Sequence, residues 1–328
     1  MMIRDFLLAG GFVVALFAAA QAAPAAPVLA VEVSDQYPVL SPDGEWIAFE
    51  SRRADGVDHI FIVRRDGTGL RQLTHGEEDD ETPVFSPDGA TILFARRLGE
   101  GRLAHLDIFS IDLNGENLRN LSNDARGQDD HHKFSADGKR IVFNSSRSTP
   151  FATMSDEDFE NYAWNYDIWV MNADGSAPRA LVELPGWDTY PSFSPDDKSL
   201  LWRRVLPDGG ASSSGRNSEI FIADADGGNM RNISSHPAFD GYPAFSPDGD
   251  WVLFASNRDG DDVRAAFALF VMRPDGANIV RLTDPPEGAE DVRPAWGADG
   301  RTIIFNRDVG ADSRIMTLDV EGVLNERD

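Results

Sequence analysis

Aspartates recur at Asp35, Asp80, Asp129, Asp188, Asp240 and Asp291, and four histidines, His75, His131, His132 and His236, stand close to three of them. Carboxylates gathered into one ring repel: at about 10 Å and an effective dielectric near 20, each pair costs on the order of 1.7 kcal/mol before screening. Such a ring needs a counter-charge. Calcium is the expected cation, because it accepts several carboxylate oxygens in irregular geometry, with Asp80, Asp129 and Asp240 as its foremost expected ligands. The alternative is that each aspartate caps its own turn by accepting backbone N–H groups, with Arg293 or Lys133 nearby for charge balance. The histidines supply the catalytic alternative: Asp129-Asp130-His131-His132 reads as a metal or acid–base cluster if His75 and His236 converge on it. Two other motifs carry less. Ser212-Ser213-Ser214-Gly215 lacks the Gly-x-Ser-x-Gly register of a nucleophile elbow, and Asp259-Gly260-Asp261-Asp262 lacks the spacing and terminal glutamate of a calcium loop.

What must position these residues is a repeat. Ser41-Pro42-Asp43-Gly44 returns at Ser86 and Ser246, with degenerate copies starting at Ser135, Ser194 and Gly297, so the steps are 45, 49, 59, 52 and 51 residues. That period belongs to propeller blades. Each unit reads as four short strands: Tyr37–Leu40, a Pro-Asp-Gly turn, Glu45–Glu50, His59–Val63, an Asp-Gly turn and Leu70–Thr74 in the first. An aromatic stands eight residues after every motif start, Phe49, Phe94, Phe143, Trp202, Phe254 and Phe305, and is expected in the core. The last unit runs out after its third strand, and Val28–Val33 is left over as an unassigned β-like stretch. The expected fold is therefore all-β: a six-bladed β-propeller of four-stranded blades, closed by an N-terminal strand that removes an open edge. Each aspartate stands six residues before its motif, where one blade hands over to the next, so all six are expected on one face. The long loops Ser146–Tyr166 and Pro207–Asn217 are expected on the same face, the first rich in aromatics that suit contact.

The 328 residues carry 30 basic and 55 acidic side chains, a formal charge of −25, which sets the chain against nucleic acid and anionic membranes. Cysteine is absent, which excludes disulfides, thiolate catalysis and cysteine-ligated zinc. Arg4, the apolar run Phe6–Ala20 and the small residues of Ala20-Gln21-Ala22 read as a signal peptide over 1–22, too short for a comfortable membrane span. The remaining 23–328 form the propeller, expected as a monomer, periplasmic or secreted.

The SPDG turns, the aromatic eight residues on, the Asp-Gly turn and the closing Leu73-Thr74 and Leu282-Thr283 pairs resemble the TolB family of WD-repeat-like propellers. The resemblance covers about residues 28–322 and implies a periplasmic protein whose propeller binds other proteins. The chain departs from that family in lacking the separate N-terminal α/β domain before the propeller. Similar repeats decorate peptidases, and propeller-based uronate lyases use histidines and a divalent metal near the channel. The expected function is a protein- or glycan-binding module of the cell envelope working through the aspartate face. The alternative is a metal-dependent carbohydrate lyase or hydrolase at the channel mouth.

Overall fold

The computed structural model describes residues 26–29, 34–101, 104–148, 165–205, 217–260 and 265–324. The expected leader, most of both long loops, Asp261, Asp262 and the tail from Asn325 lie outside the described residues. Six antiparallel four-stranded sheets follow in sequence, and their innermost strands touch in cyclic order, the last against the first. The first blade comprises Asp35–Leu40, Trp46–Ser51, His59–Arg64 and Arg71–Gln72. Among the described residues no helix is long and apolar enough to cross a membrane.

The motif serine is what makes the first turn. Ser41 Oγ donates to Asp43 Oδ1 (2.5 Å) and accepts the Trp46 N–H (2.9 Å), so one hydroxyl ties the turn to the start of the second strand. Gly44 takes φ +72°, a region open to glycine without steric cost. Ser86, Ser135, Ser194 and Ser246 donate to Asp88, Asp137, Asp196 and Asp248 in the same way. The degenerate copies show how the turn survives substitution. Where Gly297 lacks the hydroxyl, Thr302 Oγ1 donates to Asp299 instead (2.7 Å). Where Asp197 replaces the glycine it adopts φ +59°, and its carboxylate accepts the Ala136 N–H of the preceding blade's turn (2.9 Å).

The six repeat aromatics are the largest wholly buried side chains of the protein. Each sits on the second strand of its blade, where both faces are covered by neighbouring blades, so the strands read as near-continuous apolar runs. The Asp-Gly turns pack against the blade before them: a Cβ at Gly175 would collide with the Leu121 carbonyl, and one at Gly227 with that of Leu181. Glycine is needed there for proximity as well as for its positive φ.

The ring closes through the N-terminus, but earlier in the chain than Val28–Val33. Ala26 and Pro27 pair with Thr317 and Met316, and the Val28 N–H bonds the Ile315 carbonyl (3.0 Å). Val28 and Leu29 then leave the edge to pack on the core between the sixth and first blades. Val28 and Leu29 serve as packing, and the strand pairing falls to the residues ahead of them. A chain beginning at Ser34 should therefore melt below one beginning at Ala23, whereas removing residues 325–328 should leave the melting temperature unchanged. Equal melting by the two truncated chains in calorimetry would count against the closure.

Candidate functional site

All six repeat aspartates are buried at the start of innermost strands, and each is met by an arginine of its own blade. Asp35 pairs with Arg53 and Asp129 with Arg147. Asp80 pairs with Arg96 (2.6 Å), Asp188 with Arg204 (2.5 Å), Asp240 with Arg258 (2.7 Å) and Asp291 with Arg307 (2.6 Å). The blades reach this pair by two alternating routes. In the second, fourth and sixth, the arginine stands ten residues after the motif start. In the first, third and fifth that position is Ser51, Ser145 or Ser256, and the arginine two residues later folds back, its Nε bonding the serine hydroxyl. Several guanidinium groups also lie over the repeat aromatics, such as Arg96 over Phe94 (5.4 Å) and Arg258 over Phe254 (4.8 Å).

The charge compensation expected from calcium, or from turn capping aided by Arg293 or Lys133, thus comes from six dedicated arginines. Among the described residues no three histidine or carboxylate side chains gather as a metal-binding group. Asp80, Asp129 and Asp240 each face their own guanidinium, and Arg293 pairs with Asp308 (2.8 Å). Burial lifts Asp129 and Asp188 to about 6 against the pull of Arg147 and Arg204.

Two residues after each aspartate the strand bulges. The ladder loses register between Gln36 and Val39, and at the equivalent place in all six blades. The bulged residues, Tyr37, Thr82, His131, Tyr190, Tyr242 and Arg293, all have φ between +48° and +57°. The left-handed region costs a non-glycine residue roughly 1–2 kcal/mol, and the bulge re-aims each side chain toward the axis. Some freed backbone donors are taken by the preceding blade: the Tyr37 N–H by Asn306 Oδ1 (3.0 Å) and the Thr82 N–H by Glu50 Oε2 (2.8 Å).

These residues form a constriction. The Tyr37 and Tyr190 hydroxyls meet at 3.2 Å from opposite blades. His131 packs on the Tyr190 ring (centroids 3.7 Å), Tyr242 meets it edge-on (4.9 Å), and Arg293 lies over Tyr37 (5.0 Å). Thr82 Oγ1 donates to Asp130 Oδ1 (2.9 Å). Burial raises both the Tyr37 and Tyr190 phenols, so they stay protonated. Glu50, which the Thr82 N–H approaches, is pushed up to about 8 by burial, and Glu81 to about 7.

Between this constriction and the Ser-Pro turns runs a cavity of about 440 Å³, lined by the innermost strands of all six blades. It extends toward the turn face, away from the aspartates, where the binding surface was expected. Of the ring residues the sequence reading named His131, as a catalytic candidate, and Arg293, as charge balance for the aspartates; the other four were missed, although Asp-x-x-Pro recurs at Asp35, Asp80, Asp188, Asp240 and Asp291 and brackets five of the six.

The histidines do not converge. His75 is exposed beside His59 (ring centroids 6.5 Å). His236 is half-buried and accepts the Ala238 N–H. His131 and His132 line the cavity, and burial lowers His132 to about 4.

The TolB beta propeller domain family matches residues 207–323. An uncharacterized peptidase of Bacillus subtilis, YuxL, is 26% identical over 169 residues, 43% of this chain and 24% of its own length. The chain spans half or less of the curated relatives it matches. Among solved structures, a putative TolB from Agrobacterium tumefaciens superposes with a TM-score of 0.63 at 20% identity, covering 88% of this chain and 90% of that one. An oligogalacturonate lyase in complex with manganese gives 0.62 at 15%, covering 93% and 96%. Similarity at these identities speaks for the fold. Repeat and blade architecture agree that the chain is a six-bladed β-propeller, and its residues 207–323 match the TolB beta propeller domain.

Proposed function

We propose that this chain is an exported binding module that takes part of a protein or glycan partner into its central cavity from the Ser-Pro turn face. The carrying observation is the axial cavity itself, blocked at one end by interlocked tyrosines and walled by Pro38, Pro83, Pro243 and Pro294 with few polar groups. Apolar walls with a small number of placed polar atoms are the usual make-up of ligand sites. The dispersed histidines favour binding over a lyase or hydrolase, since acid–base or metal chemistry needs such groups within reach of one substrate atom. The signal-like N-terminus supports export.

Ala244 lines the cavity on the fifth blade, and Ala244→Trp should fill it while leaving the core untouched. Screened by thermal shift against oligosaccharides and short peptides, the parent should be stabilised by ligands that leave Ala244→Trp unmoved. Ligands that stabilise both proteins equally would place the site elsewhere and defeat this reading.

A further inference from the structure

The third blade breaks the pattern of the innermost strands. Three residues after the repeat aspartate, five blades carry Pro38, Pro83, Pro191, Pro243 and Pro294; the third carries His132. At the next position, the first paired residue after the bulge, the others carry Val39, Val84, Ser192, Ala244 and Ala295, whereas the third carries Lys133. The bulge and its positive φ are the same in this blade as elsewhere. The fold therefore accommodates a lysine here without depending on it.

The cavity's charge is opposite to that of the protein. The chain carries 55 acidic side chains, yet among the described residues no aspartate or glutamate lines the cavity, whose charged groups are Lys133 and Arg293. Asp308 neutralises Arg293. Lys133 is half-buried, and desolvation alone perturbs it, with no charged or hydrogen-bonding neighbour offsetting that cost. Burial pushes its amine down to about 8, which leaves it mostly protonated at neutral pH. A half-buried ammonium with no carboxylate among the described residues around the cavity favours an anion beside it.

Other polar atoms of the cavity wall also lack partners. Ser192 Oγ, at the register position of Lys133 on the neighbouring blade, is buried without a hydrogen-bond partner, and so is Trp296 Nε1. An ammonium and an indole N–H have no acceptor capacity. A donor-rich, acid-free wall suits an acceptor-only group.

We propose that the cavity recognises a carboxylate, bound by the Lys133 ammonium with the Ser192 hydroxyl contributed by the neighbouring blade. The ligand is thus an organic acid, or an acid-bearing end of a larger molecule, that enters from the turn face. This assignment rests on the cavity reading above and narrows its ligand class.

Matched pairs test it by calorimetric titration: glucuronate against methyl glucoside, and trialanine against its C-terminal amide. In at least one pair the acid should bind at least tenfold tighter than its neutral partner, a difference of about 1.4 kcal/mol. The pair that responds separates a sugar acid from a peptide terminus. Lys133→Met should erase the preference and Lys133→Arg should keep it. Ser192→Ala should weaken the acid more than its neutral partner. Lys133→Met should melt no lower than the parent, because it removes a half-buried charge that desolvation disfavours, so lost binding cannot be put down to unfolding. Equal binding within both pairs, no binding by either acid, or an acid preference that survives Lys133→Met overturns the proposal. If neutral ligands bind and Ala244→Trp blocks them, the cavity reading stands while the carboxylate assignment falls. If Ala244→Trp blocks nothing that binds, both fall.

Discussion

Arg307→Met should destabilise the propeller by about 3–5 kcal/mol at pH 7–8, the range for removing one partner of a buried ion pair. Arg307 holds both oxygens of Asp291, Nε at 2.6 Å and Nη2 at 2.8 Å, and Asp291 has no exposure to water. Methionine fills much of the arginine stem's volume against Phe305 but leaves a carboxylate that can neither be hydrated nor paired. The variant's Asp291 must then take up a proton or force the strand open, and a proton is taken up more readily the lower the pH. The deficit should therefore shrink toward pH 4 and widen toward pH 8. Adding Asp291→Leu should recover most of the loss, since apolar replacement of a whole buried pair is often neutral. Urea midpoints at pH 4.5 and 7.5 for the parent, the single and the double variant decide the matter; a pH-independent deficit in the single variant would show that lost packing, not the carboxylate, is responsible.

Glu50→Gln should have the opposite sign, stabilising the protein progressively as pH rises from about 5 to 8. Glu50 is buried on the aspartate side of the constriction, and burial first, then the nearby Glu81 and Asp58 carboxylates, push it up to about 8, with Arg293 opposing. Its folded pKa exceeds the unfolded value near 4.5, so its contribution is complete below 4.5 and lost as pH rises through about 8. A displacement of that size corresponds to on the order of 5 kcal/mol once the group is fully ionised. Glutamine keeps an amide oxygen for the Thr82 N–H, which now reaches Glu50 Oε2 at 2.8 Å, and cannot ionise. The parent should lose melting temperature between about pH 5 and 8, and Glu50→Gln should flatten that slope while matching the parent near pH 4.5. Parallel curves for the two proteins across that range would sink the assignment.

Local interactions were the readable part of this protein. The SPDG turn closes within six residues, by Ser41 to Asp43 and Trp46. The aromatic eight residues on is buried simply because every second strand is covered on both faces. Such features repeat with the chain, so their spacing announces six blades. The aspartates were equally visible, but their chemistry was not. A carboxylate looks like a ligand until its partner is known, and the partners lie across a strand pair, alternately ten and twelve residues after the motif. The closing strand was anticipated in kind and displaced in register, since Val28 and Leu29 suit a strand and a core surface alike.

By itself, then, the sequence determined the number of blades, the turns between their strands and the residues that fill the spaces between them, because each depends on contacts a few residues apart. Only the tertiary structure decided which side chains meet on the axis. Tyr37 and Tyr190 are 153 positions apart and touch because a bulge turns each of them inward on facing blades. The acid-free character of the cavity likewise belongs to no single segment. It arises because six strands, each contributing a few residues, put no carboxylate among the described lining residues and leave Lys133 facing the space between them.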